Sequence, residues 1–155
     1  MTKGKSGRAA VLAALGILCS APPAGSHSGA TGVVAERMEE MKAIAAAMKG
    51  IAGMQKDVAA FDGKAAHDAA AEIARRAARL PKLFPKGSSM HSSEARPVIW
   101  TNWQDFADRL SAMERQAKKL ARAAAGAGGA GEIDADFKTL AASCKGCHEH
   151  YRQKK

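Results

Sequence analysis

The stretch FKTLAASCKGCHEHYR, Phe137 to Arg152, decides how the rest of the chain is read. Within it Cys144, Lys145, Gly146, Cys147 and His148 spell C-x-x-C-H, the attachment signature of a covalently bound c-type haem. The residues leading in, Phe137 to Ser143, read as helix, and on a helix two cysteines three apart share a face with His148, four after Cys144. Thiols so placed can form thioether bonds to the two vinyl groups of one porphyrin, and His148 can put an imidazole nitrogen on the iron. The expected cofactor is therefore one covalent haem c with its iron, lying against the inner face of the last helix.

Two other uses of paired cysteines fit less well. A structural zinc site wants four ligands, usually in two pairs, and there is no second pair; His27, His67, His91 and His150 are scattered. A thioredoxin-like redox pair would open a helix after a strand, whereas here helix precedes Cys144.

The N-terminal end agrees with export. Lys3, Lys5 and Arg8 precede the apolar run Ala9 to Leu18, which is too short to span a bilayer, and small residues follow. This predicts a secretory signal peptide over 1–26, with cleavage anywhere in 21–30, and a domain over 32–155. Cys19 follows Leu18, where a lipobox wants a small residue, so lipidation is not expected. With Cys19 removed, the motif cysteines are the only thiols left, and export to the periplasm suits haem c attachment outside the cytoplasm.

About 125 residues remain for one core. Aromatics are 5% of the chain and alanine is abundant, which favours helix throughout. An Ala-rich bundle this small buries modest apolar area, so the apo-protein is expected to fold poorly without the haem. The formal charge of +9 falls to about +6 without Lys3, Lys5 and Arg8. That basicity reads first as a solvated surface, with steering of an acidic redox partner protein as its functional alternative. Nucleic-acid binding does not fit an exported chain without interleaved aromatic and basic residues, and no membrane span is expected after signal cleavage.

Four segments carry helical periodicity. The first, 32–53, places Val34, Met38, Met41, Ala45, Met48 and Ala52 on one stripe, with Glu36, Glu39, Glu40 and Lys42 between them. The second, 64–80, has Ala66, Ala70, Ile73, Ala77 and Leu80, and stops at Pro81. After a loop over 81–97 with one short turn at Leu83-Phe84, the third runs 102–125 along Trp103, Phe106, Leu110, Met113, Ala117, Leu120 and Ala124, capped by Thr101 or Asn102. Gly126 to Gly131 reads as a flexible turn, and the fourth helix, 133–153, carries the motif. The fold class is all-α, an antiparallel four-helix bundle with covalent haem on the C-terminal helix.

Over its whole mature length the chain resembles the class II c-type cytochromes, the cytochrome c′ family. The residues that carry the resemblance are the C-terminal CKGCHEHYR, the stretch LPKLFPKGS from Leu80 to Ser88, ARPVIW from Ala95 to Trp100, and Arg37 followed by Met41 and Lys42. That family divides by the iron's sixth position: five-coordinate, high-spin members bind nitric oxide or carbon monoxide, and low-spin members use a first-helix methionine. The position matching that methionine is Met41, with Met38 as a rival one turn away, and the resemblance is to the low-spin Met/His-ligated members. It implies that Arg37 reaches a haem propionate, that Arg152 stands beside the proximal imidazole, and that a homodimer through the first two helices is open to the chain. No catalytic constellation is visible, so no enzyme is expected: the function implied is a periplasmic electron carrier, with the gas-binding cytochrome c′ as its alternative. His67, His91 and His150 read as solvated, and Trp100 and Trp103 as closing the core.

Overall fold

The computed structural model describes residues 1, 30–57, 60–88 and 93–153. The leader expected at 1–26, Met1 apart, lies outside the described residues, as does His91. The described chain runs through α1 (Gly32–Lys56), α2 (Gly63–Arg79), a 3-10 turn (Leu80–Leu83), the short α3 (Val98–Thr101), α4 (Trp103–Ala125), a second 3-10 turn (Ala130–Ile133) and α5 (Asp134–Tyr151). The four long helices are those read from periodicity, and they make the antiparallel bundle. Among the described residues no helix is long and apolar enough to cross a membrane.

The tightest seam is α2 on α4, with α1 packed on α2 and α5 on α4, while α1 and α5 touch only sparsely. Asp62 starts α2 by accepting the Ala65 N–H at 3.0 Å, satisfying one of the donors a helix leaves free at its N-terminus. Ala66, Ala70, Ile73, Ala77 and Leu80 are all buried, as their spacing predicts, together with Ala74. They meet Phe106, Leu110, Met113, Ala117, Leu120 and Ala124, the stripe expected of α4. Small side chains let the backbones approach, most closely at Gly63. A Cβ there would lie 2.9 Å from the Ala124 carbonyl oxygen, closer than side chains are found. Fully burying Ile73 contributes about 1.5–3 kcal/mol.

The expected stripe of α1 differs from the buried one. Val34, Arg37, Glu40, Ile44 and Ile51 are buried, whereas Met38, Met41 and Met48 are half-buried and Ala45 is exposed. Glu40, which lies between the stripe positions in the sequence, is 7% exposed, and Arg76 at 2.7 Å and Arg79 at 3.1 Å reach it from α2. The ion pairs compensate for the desolvation of its carboxylate.

The connections also depart from expectation. The turn in the 81–97 loop sits at Leu80–Leu83, one step upstream of Leu83-Phe84. Part of the glycine-rich stretch is ordered as the second 3-10 turn, since Ala130 and Ile133 bury themselves in the core. Asn102 occupies the N-cap of α4 without capping it; its side-chain amide donates instead to the Tyr151 hydroxyl at 2.9 Å, tying α4 to α5. The loop closes on the exit of α5, where the Arg96 N–H donates to the Tyr151 carbonyl at 2.9 Å and the Gln153 N–H to the Glu94 carbonyl at 2.8 Å.

Candidate haem site

Where α1 and α5 stand apart, a cleft of about 690 Å³ opens, floored by α4. Met38, Met41, Ile44 and Met48 of α1 form one wall, and Phe106, Leu110 and Met113 of α4 the floor. Cys144, Cys147 and His148 of α5 form the other wall. The side chains singled out in the sequence, including Arg37 and Arg152, thus line one cavity. The half-buried methionines of α1, with Met41 and Met48 packed against the edge of the core, are the ones it turns to this cleft.

Both cysteines are free and partly buried, and Cys144 Sγ lies 3.8 Å from the Met113 sulfur. Burial pushes the Cys147 thiol up to about 11, against the opposing pull of the Arg109 guanidinium, and raises Cys144 as well. Both are neutral S–H groups near pH 7, unlike the thiolates of redox-active or nucleophilic cysteines. His148 has its pKa lowered, first by desolvation and then by the positive charge of Arg152, although the residue as a whole is exposed. The ring is neutral at pH 7, with a nitrogen lone pair free to ligate.

Arg37 is 5% exposed and reaches across the 81–97 loop. Its Nε donates to the Leu83 carbonyl at 3.1 Å, Nη1 to Ser93 Oγ at 3.3 Å, and Nη2 to the Ser88 carbonyl and hydroxyl at 3.2 and 2.9 Å. The guanidinium carbon sits 4.1 Å from the Phe84 ring centroid, a cation–π contact. Burial lowers its pKa, and no carboxylate among the described residues pairs with it. Arg152 is held at the cleft mouth by Glu94, Nε to Oε2 at 2.5 Å.

A further cluster was not singled out from sequence. Arg109 lines the cleft, donates to Asp105 Oδ2 at 2.7 Å and lies over the Tyr151 ring at 5.9 Å, while the Tyr151 hydroxyl donates to the same Asp105 oxygen. The four-residue spacing of Asp105 and Arg109 was a readable signal, but their junction with Tyr151 depends on tertiary packing. His67, read as solvated, is half-buried and bonds the Ala121 carbonyl through Nδ1 at 2.9 Å. His150 is exposed, as read. Trp100 is half-buried, but Trp103 is 38% exposed and closes no core.

The residues fit a porphyrin. Among the described residues no three His, Cys, Asp or Glu side chains gather to hold a bare ion, so a single imidazole beside two thiols suits a prosthetic group that brings its own equatorial donors. The cleft volume lies in the range of about 300–1,000 Å³ typical of cofactor pockets, its walls are mainly apolar, and Arg37, Arg109 and Arg152 are among its lining.

Comparison with known proteins points the same way. The family model described as Cytochrome C′ matches residues 32–152. Cytochrome c-554 of Cereibacter sphaeroides is 43% identical over 108 residues, covering 67% of this chain and 80% of that protein. Cytochrome c′ of Rhodopseudomonas palustris is 34% identical over 153 residues, covering 96% and 97%. A solved structure of cytochrome c′ from Rhodopseudomonas palustris superimposes with a TM-score of 0.74 at 30% identity, covering 81% of this chain and 99% of that one. A bundle that opens between its first and last helices, with C-x-x-C-H on the wall of the opening, is thus matched in both sequence and fold: the chain belongs to the cytochrome c′ family of class II c-type cytochromes, whose cofactor is covalent haem c.

Proposed function

We propose that this monohaem c-type cytochrome is a periplasmic electron carrier, with Cys144 and Cys147 as thioether anchors, His148 as proximal ligand and Met41 as the sixth ligand of a low-spin iron. The observation that carries the proposal is Met41 on the cleft wall across from His148. Arg37 and Gln153 both bond Ser93, Arg37 through Ser93 Oγ at 3.3 Å and Gln153 through the Ser93 carbonyl at 3.0 Å, which ties the first part of α1 and the residues just after α5 to one point of the loop. Met41 lies about one turn beyond Arg37 in α1, and His148 lies in the last turn of α5, which ends at Tyr151 two residues before Gln153. Met48 stands about two turns further on, and this register supports Met41 over it.

When bound, the haem supplies a one-electron couple at its iron. A Met41 thioether on the iron would raise the potential, and the apolar walls would exclude water and so limit reorganisation. Arg37 brings to the cleft a buried charge with no acid partner among the described residues, and Arg152 stands near the imidazole; both suit the carboxylates of a porphyrin. The leader at 1–26 would deliver the chain to the periplasm.

The visible spectrum of the reduced protein, with and without carbon monoxide, tests the ligation. A six-coordinate spectrum little changed by carbon monoxide is expected, and Met41→Ala should turn the iron high-spin and open it to that ligand. The relative that matches nearly the whole chain is named cytochrome c′, which favours a second reading as a five-coordinate gas-binding protein. An unsubstituted protein that is already high-spin and takes carbon monoxide or nitric oxide readily would establish that reading instead.

A further inference from the structure

On the outer side of the cleft wall, the loop after α2 and the start of α4 enclose a second, open groove of about 370 Å³. Its apolar lining includes Phe84, Trp100 and Trp103, and its rim carries Lys82 and Lys86. Trp103 is 38% exposed and Val98, in the adjoining α3, is 37% exposed; among described residues numbered 30 and above they are the exposed large apolar side chains. The Trp100 indole N–H donates to the Phe84 and Pro85 carbonyls at 3.1 and 2.9 Å, which fixes the floor. Among the described residues no carboxylate lines the groove, and both lysines are exposed.

Phe84 lines this groove and the haem cleft alike. Phe106, on the cleft floor, has its ring centroid 4.8 Å from that of Phe84 and 5.7 Å from that of Trp103. One layer of aromatic rings therefore separates an exposed apolar patch from the cofactor cavity. The patch has the anatomy of an interface: an aromatic centre, a charged rim of one sign, and rigid backing.

We propose that this groove is the docking surface for an acidic one-electron redox protein, and that the electron crosses the Phe84–Phe106 layer. The proposal rests on the carrier reading above. The lysine rim argues for a partner with carboxylates around its own redox centre; a second copy of this chain would bring lysines against lysines. The step would be the transfer of one electron from the partner's centre to the bound haem, whose ferric iron would become ferrous with no bond made or broken; the reverse would hold when the partner accepts.

Stopped-flow reduction of the oxidised holoprotein by reduced plant-type [2Fe–2S] ferredoxin, an acidic protein, tests this at low and high salt. Lys82→Glu with Lys86→Glu should slow the second-order rate about tenfold or more at low salt, with the gap closing as salt rises. The control pair Lys49→Glu with Lys56→Glu makes the same charge change near the far end of α1 and should slow it much less. Trp103→Ala should lower the rate at both salt concentrations while leaving the visible spectrum unchanged. Equal slowing by the two lysine pairs would overturn the proposal, as would wild-type self-association that Trp103→Ala abolishes. The spectrum of the same samples reads the carrier assignment separately: low-spin iron with equal slowing sinks the docking surface alone, and high-spin iron that binds carbon monoxide sinks the carrier reading.

Discussion

α2 and α4 meet along Ala66, Ala70, Ile73 and Ala77 against Ala117, Leu120 and Ala124, every one of them within 1% of full burial. α1 and α5 instead face each other across the cleft, their methionines and cysteines only half-buried. The first pair packs on itself; the second is shaped for a group placed between its members. The first half is held by side-chain burial along its whole seam, whereas α1 and α5 bury Val34, Ile51 and Leu140 on their core sides, add polar ties such as Glu40 to Arg76 and Arg37 to the 81–97 loop, and leave their cleft-facing sides to the cofactor. A protein built this way should respond to loss of haem in one half and to core truncation in the other.

The largest break in that comparison removes the anchor. Cys144→Ala with Cys147→Ala should abolish covalent haem, read as an intact mass without the haem addition carried by the exported wild type. Amide exchange should then quicken in α1 and α5 well before α2 and α4, because local opening follows local burial. Uniform loosening of all four helices would show that the α2–α4 seam cannot stand without the cofactor. His148→Ala should keep the haem mass and alter the visible spectrum; an unchanged spectrum would assign the proximal nitrogen to another residue.

A smaller break compares two apolar truncations. Ile73→Ala, in the closed seam, should cost about 2–5 kcal/mol in urea unfolding and leave the visible spectrum as it was. Met48→Ala, on the cleft wall, removes a half-buried side chain and should cost about 1 kcal/mol or less without changing the spin state. If the two costs come out alike in the holoprotein, the cleft wall is packed as firmly as the seam once the haem is in place.

The same contrast explains which parts were legible in the sequence. The stripes of α2 and α4 were readable because nearly everything they bury is apolar and their outer faces are charged, so periodicity and burial coincide. In α1 they do not. Its buried set includes Arg37 and Glu40, which no hydrophobic pattern marks, and alanines all around it blur the phase, so Ile44 and Ile51 went unmarked. The methionine stripe was legible as apolar, but it lines a cleft at the edge of the core and is only half-buried. C-x-x-C-H announced the site because its spacing is local. The Arg109–Asp105–Tyr151 junction and the His67 bond to α4 join residues about fifty positions apart, which only the fold brings together. Trp103 misled because tryptophan counts as core on composition alone, whereas the start of α4 lies at the rim.

The finest test concerns one of those long-range junctions. The Arg109 guanidinium, and after it the Tyr151 hydroxyl, hold the Asp105 carboxyl below the ordinary aspartate value of 3.8. A carboxyl whose pKa falls on folding contributes stability at all pH values above its unfolded pKa, and the contribution fades as the pH drops through the lowered folded value. Asp105 stitches α4 to α5 through the Tyr151 hydroxyl, which also accepts from Asn102. The urea midpoint of the wild type should therefore fall more between about pH 5 and about pH 3 than that of Asp105→Asn, which keeps the shape and loses the charge. At pH 7 the variant should be slightly the less stable of the two, because the partly exposed pair with Arg109 is screened by solvent and is worth little. Parallel pH profiles for the two proteins would mean that Arg109 and Tyr151 hold α5 by packing alone, and that the charge on Asp105 plays no part in closing that end of the bundle.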